Sequence, residues 1–201
     1  MKTSVPPAGS LPPEVIPPTR ATKADDKERA MDSLEALTTQ VLGSGDARGI
    51  AALSAHADPR VRYAVAFYLG GRDDEAAESM LIALSADPDR DVRDWATFAL
   101  GSLQTADSAA LREALVVRST DPDDEIRGEA ILGLARRRDE RAVSAVLAEL
   151  RATASSLAIE AAGELAREIF LPELERLRPG NAGDSSLAEA IGRCRPGPGR
   201  G

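Results

Sequence analysis

Between about residues 26 and 194, apolar positions recur at the i, i+3, i+4 spacing of amphipathic helices, with polar residues on the faces between them. Met31, Leu34, Leu37, Val41 and Leu42 form the first stripe, opened by Asp25-Asp26 and stopped by Gly43-Ser44-Gly45, which predicts an N-terminal capping helix. Beyond it one phrase returns: DPRVRYAVAFYLG (58–70), DRDVRDWATFALG (89–101), DDEIRGEAILGLA (123–135) and ASSLAIEAAGELA (154–166). A shorter echo, DSSLAEAIGRC, stands at 184–194. Val61, Val92, Ile126, Leu157 and Leu187 open the phrases, at steps of 31, 34, 31 and 30 residues. Such a period marks a solenoid, in which each unit contacts only its neighbours and the stacked units share one core.

Each unit reads as two helices. The first, A, is seen in DARGIAALSAHA, DEAAESMLIALSA, SAALREALVVRST, ERAVSAVLAELRA and, more weakly, FLPELERLR. A turn marked by Asp58-Pro59, Asp87-Pro88 or Asp121-Pro122 follows, since Asp and Pro initiate turns and suit helix N-termini. The second helix, B, is the repeated phrase, and Gly70 and Gly101 are expected to close it as left-handed caps. The predicted fold is all-α: an α-α superhelix of about five helix pairs behind the capping helix.

Composition agrees. Hydrophobic residues make up 43% of the 201 residues and aromatics only 3%, so the core is built from Ala, Leu, Val and Ile. Residues 1–24 hold six of the thirteen prolines and no periodicity, and are expected to be a disordered tail. Residues 195–201, RPGPGRG, are expected to fray. The repeat domain is assigned to 25–194. One cysteine, Cys194, excludes an intramolecular disulfide, and no apolar run approaches the length of a membrane span. A cytoplasmic monomer is expected.

The Asp-Pro turn, the Val-Arg pair and the Ala-rich helix ending in Leu-Gly resemble HEAT repeats, in particular the short bacterial variety of phycobilisome-lyase-type proteins. The resemblance rests on Val61-Arg62, Val92-Arg93 and Ile126-Arg127 with their upstream aspartates, and covers about 46–194. Ankyrin and tetratricopeptide units would show TPLHxA or a Trp-Leu-Gly-Tyr pattern instead. The fourth unit departs from the pattern, with Ala158 in the arginine position and Ser155-Ser156 in place of the acidic turn. HEAT repeats serve as scaffolds, adaptors, inhibitors and occasional enzymes, so the resemblance implies a fold rather than an activity.

In this pattern the valine points inward and the arginine reaches turn carboxylates and helix-end carbonyls together. Arg62, Arg93 and Arg127, with Asp58, Asp87 and Asp121, are therefore expected to form a ladder tying units together. The lone His56 has no ligand or triad spacing around it, and Cys194 sits at a core-like position. Arg136-Arg137-Arg138 is expected to be a solvated turn. No GxSxG, P-loop, HExxH or GxGxxG occurs, so no catalytic residue, metal or cofactor is assigned.

The aromatic distribution stands out. Tyr63, Phe67, Tyr68, Trp95 and Phe98 all lie on the first two B segments, and the Trp95 column turns to Glu129 and Glu160 in later units. Tyr63, Phe67, Trp95, Phe98 and Leu132 are candidates for an apolar strip on the concave surface, with Asp94 and Glu129 beside it. Bulky side chains filling space against the capping helix are the alternative. A net charge of −8 favours a basic protein partner and disfavours nucleic acid, a HEAT-like DNA glycosylase included, and anionic membranes. The expected function is a non-enzymatic protein-protein interaction module. The alternative implied by the resemblance is a chromophore-lyase-type protein that binds a tetrapyrrole.

Overall fold

A computed structural model describes residues 47–178 and 184–196, with Thr39 and Gly43 as isolated helical positions. The rest of the expected capping helix, the Pro-rich segment and residues 197–201 lie outside the described residues. Five helix pairs follow in order: α1 (Ala47–Ser54) with α2 (Pro59–Leu69), α3 (Glu75–Leu84) with α4 (Arg90–Phe98), and α5 (Ala109–Arg118) with α6 (Asp124–Arg136). Then come α7 (Ala142–Ala152) with α8 (Ser156–Leu165), and α9 (Leu171–Leu177) with α10 (Ser185–Cys194). No strand occurs among the described residues.

The turn chemistry sets each B helix. Asp58, Asp89, Asp123, Ser155 and Asp184 occupy the N-cap positions, and their side-chain oxygens accept backbone N–H groups that the first turn leaves free. In the first unit Pro59 is the first helical residue. In the next two, Pro88 and Pro122 lie in the turn, two aspartates flank each, and the helix starts after the second. Asp87 and Asp121 then accept the N–H of Asp89 and Asp123, which holds the turn closed.

The B helices form one row, α2–α4–α6–α8–α10, each packed on the next, and the A helices cover its other side. Val61, Val92, Ile126 and Leu187 are buried between the layers, and in the fourth unit, whose helix starts one residue later than the phrase suggests, Ala158 rather than the expected Leu157 takes that place. Neighbouring B helices pack more closely on one another than neighbouring A helices do.

Glycine works differently from the expected caps. Gly70 has φ −58°, and the left-handed residue is the following Gly71 at φ 78°. Gly101 does not cap α4 either. It sits in a π-helical turn, Ala99–Leu103, that prolongs α4 and lets its backbone meet α6. A Cβ on Gly133 would stand 2.5 Å from the Gly101 Cα, so both glycines are set by helix contact rather than by turn conformation.

The arginine run at the end of α6 also departs from expectation. Arg136 and Arg138 are exposed, but the Arg137 side chain is only 8% exposed. It donates to the carbonyls of Leu100, Gly101, Gln104, Ala106 and Gly133, at 2.9 to 3.2 Å. These are carbonyls that the π turn and the end of α6 leave without helical partners. Burial pushes the guanidinium below its ordinary pKa, while Asp107, 3.8 Å away, acts in the opposite direction. Sequence reasoning missed Arg137 because a buried arginine and two solvated ones look alike in a run of three.

Candidate interaction surface

Two systems of side chains organise the B row: polar rungs at one end of the B helices and an aromatic cluster along the faces of α2 and α4. The rungs start with Arg62, which meets both oxygens of Asp87 at 2.6 and 2.7 Å and donates to the carbonyls of His56 and Ala57. Arg93 reaches Asp121 at 3.0 Å and the carbonyl of Asp87 at 2.9 Å. Arg127 reaches Glu149 at 2.6 Å and the carbonyl of Asp121 at 3.0 Å. Each arginine therefore ties the carbonyls of its own turn to a carboxylate of the following unit.

Two corrections follow. Asp58 is not a rung: it caps α2 and pairs with the exposed Arg60, whose hydrogen bonds hold its carboxyl at a pKa of about 2. Arg93 bonds the backbone carbonyls of Asp87 and Asp89 but takes its carboxylate forward, from Asp121. The third rung ends on Glu149 of α7, because Ser155-Ser156 offer no carboxylate in the next turn, and the series stops at the fourth unit, where Ile159 stands in the arginine position.

Trp95 is the centre of the aromatic cluster. Phe67 lies stacked on it at 5.1 Å, and Phe98 and Tyr63 are tilted against it at 5.4 and 5.9 Å. These are favourable offset and tilted contacts; Phe67 and Tyr63 come from the preceding unit and Phe98 from the same helix as Trp95. Tyr63 and Trp95 also pack on the core, whereas Phe67 is 46% exposed. The indole Nε1 of Trp95 is buried with no acceptor among the described residues. An unpartnered buried donor is a cost that the fold carries at this position.

Tyr68 leaves the cluster and lies under Arg72, which donates to its hydroxyl at 3.1 Å. Leu132 is a second departure: it is only 2% exposed and belongs to the core, not to a surface strip.

The rim of the cluster is acidic. Arg90 faces Asp91 and Asp94 at 3.3 Å each, Asp123 at 2.9 Å and Glu125. One cation among four carboxylates leaves a local excess of three negative charges beside Tyr63 and Trp95. Burial pushes the Asp94 carboxyl above its ordinary pKa, with Arg90 pulling the other way. Glu129, half-buried, accepts from the Ser102 hydroxyl at 3.2 Å, and burial pushes its carboxyl up as well. Glu160 is paired with Arg136 at 2.8 Å. Sequence reasoning named Asp94 and missed Arg90, Asp91, Asp123 and Glu125; Asp91 is Arg90's chain neighbour, and Asp123 and Glu125 come from the next unit.

His56 is exposed, and its Nδ1 accepts the Asp58 N–H at 3.0 Å. Cys194 is buried, and burial raises its thiol pKa. Among the described residues no His, Cys, Asp or Glu group is placed to hold a metal ion, and no helix is long and apolar enough to cross a membrane.

Paired helices, stacked units and rungs between successive turns define a solenoid of the HEAT type, and the family model for HEAT repeats matches residues 49–117. Residues 49–117 are thus HEAT repeats in sequence as well as in fold. A stretch of 118 residues is 40% identical to Protein YibA of Escherichia coli, in strain K12 and in O157:H7, covering 58% of this chain and 42% of that protein. The chain thus spans less than half the length of the curated relatives it matches. The crystal structure of Escherichia coli YibA superposes with a TM-score of 0.65 and 27% identity, over 88% of this chain and 64% of that one. The complex of CpcE and CpcF of phycocyanin lyase from Nostoc sp. PCC7120 superposes with a TM-score of 0.59 at 19% identity, over 94% of this chain and 68% of that one. An engineered protein superposes with a TM-score of 0.59 at 20% identity, over 88% of this chain and 91% of that one. These last two likenesses are of fold alone.

Proposed function

We propose that the protein is a non-enzymatic interaction module that holds a basic, partly apolar protein segment against α2 and α4. The observation that carries this reading is the Trp95 cluster: four aromatic rings in contact, with Phe67 still 46% exposed, next to one arginine surrounded by four carboxylates. Aromatic anchors supply contact area at low side-chain entropy. The acidic rim selects a cationic partner and speeds its approach.

The test uses Trp95 fluorescence, since the chain has a single tryptophan. The probes are a Lys/Arg-rich amphipathic peptide and its charge-reversed counterpart. The basic peptide should shift the emission saturably, and added salt should weaken binding. Phe67→Ala, followed by a dye on the peptide, should reduce affinity by roughly thirtyfold, about 2 kcal/mol. Equal binding of the two peptides, or equal affinity for wild type and variant, overturns the proposal. A bilin absorbance titration run alongside checks the chromophore-lyase alternative; a bilin spectrum perturbed by wild type but not by Phe67→Ala would reassign the surface to a tetrapyrrole.

A further inference from the structure

The opposite end of the B row carries a different surface. Where α8 and α10 end and the chain turns from α6 into α7, a cavity of about 560 Å³ opens, lined by Arg138, Arg167, Arg193 and Arg195 together with Glu140 and Glu168. Four guanidinium groups and two carboxylates line this cavity, an arginine-rich wall in a chain whose net charge is −8. The arginines come from three successive units, so the sequence does not show them as a cluster.

Their existing partners leave donors free. Arg167 pairs with Glu140, Arg193 with Glu164 at 3.0 Å and Glu189 at 3.2 Å, and Arg195 with Glu175 at 2.7 Å. Arg138 has no carboxylate in salt-bridge range among the described residues. A guanidinium carries five N–H donors, and one carboxylate takes at most two of them in the fork geometry. Helix C-termini attract cations for their own sake, but at the end of α6 that role is filled by Arg137, which collects the free carbonyls. Arg138 is left facing the cavity.

The backbone adds a second observation. Arg138 and Ala166 line the cavity and are held at φ 51°, a left-handed conformation that non-glycine residues adopt at a cost.

We infer that this cavity binds a compact phosphate-bearing anion with more than one negative charge, of the pyrophosphate or phosphomonoester class. Arg138 and Arg167 serve as bidentate clamps from one wall, and Arg193 and Arg195 close the other. Planar guanidinium groups match phosphate oxygens in pairs, and the cavity is of the size that holds small molecules. The inference is independent of the aromatic surface and concerns another part of the molecule.

Isothermal titration of the full chain at low ionic strength tests it, with pyrophosphate, orthophosphate and citrate as separate probes. Pyrophosphate should bind saturably with one site and more tightly than orthophosphate or citrate. Arg138→Gln and Arg167→Gln should each weaken it by at least about tenfold, because each removes one clamp. Asp94→Asn, at the other end of the row, should leave it unchanged. Both arginines are exposed, so the variants are expected to fold, and a thermal melt of each checks this. Absence of saturable binding, equal binding of citrate, or pyrophosphate affinity unaltered in both folded variants would overturn the assignment.

Discussion

The contact between α2 and α4 and the contacts among α4, α6, α8 and α10 solve the same packing problem with opposite materials. At α2–α4 the helices are joined over large rings, Phe67 and Tyr63 against Trp95 and Phe98. Further along, the space is taken up by missing side chains. Gly101 meets Gly133 backbone to backbone, Gly128 receives Leu157, and Gly163 lies against Ala190. Glycine contacts bring helices close and leave little room between them. Ring contacts hold the helices over bulky groups whose outer faces stay in solvent. A repeat array can thus keep its period while one junction presents a ring to solvent and the others close over glycine.

The heaviest test of the closed junctions is Arg137→Ala. It strips donors from five carbonyls at the α4–α6 contact, and the loss should reach about 3–5 kcal/mol in a urea melt. A loss below about 1 kcal/mol would show that water replaces the guanidinium without penalty.

Gly133→Ala against Phe67→Ala compares the two materials directly. The new methyl meets the Gly101 Cα at 2.5 Å, backbone that cannot step aside, so a cost of about 3 kcal/mol is expected. Phe67→Ala removes a half-exposed ring and should cost under about 1 kcal/mol. Equal losses would mean that the aromatics are structural after all and would weaken the binding proposal with them.

Arg93→Ala breaks a rung whose carboxylate, Asp121, is only 2% exposed, and should cost about 2 kcal/mol. Asp121 keeps Arg118 at 3.1 Å, which limits the loss. Arg60→Ala, which removes an exposed arginine, should leave the melting midpoint where it was. Indistinguishable midpoints for the two variants would remove the rungs from the list of structural devices.

The smallest effect concerns the open junction's acidic rim. Burial raises the folded-state pKa of Glu129 above its unfolded value, so ionisation works against folding once the pH exceeds the folded pKa. Glu129→Gln should therefore be more stable than wild type at pH 7, by about half a kcal/mol. The gap should close as the pH falls through the folded pKa and the wild-type carboxyl takes up its proton. A gap that widens in acid would reverse the sign of the argument.

The sequence by itself determined the repeat, the two-helix unit, the inward columns and the arginine positions. These follow from local rules: a 3.6-residue period, Asp and Ser at helix starts, and one phrase returning at nearly constant intervals. It also brought five aromatics onto two neighbouring helices, because a fixed period lets unit be laid on unit. Only the tertiary structure decided which members of a column reach solvent. Phe67 and Leu132 share a column, yet one is exposed and the other buried. It likewise separated Arg137 from Arg136 and Arg138, sent the rung from Arg93 forward to Asp121, and gathered arginines from three units around one cavity. The physical reason is common to all of these. A periodic pattern specifies how a helix faces its own unit, whereas burial, pairing and enclosure depend on what the next unit places against it.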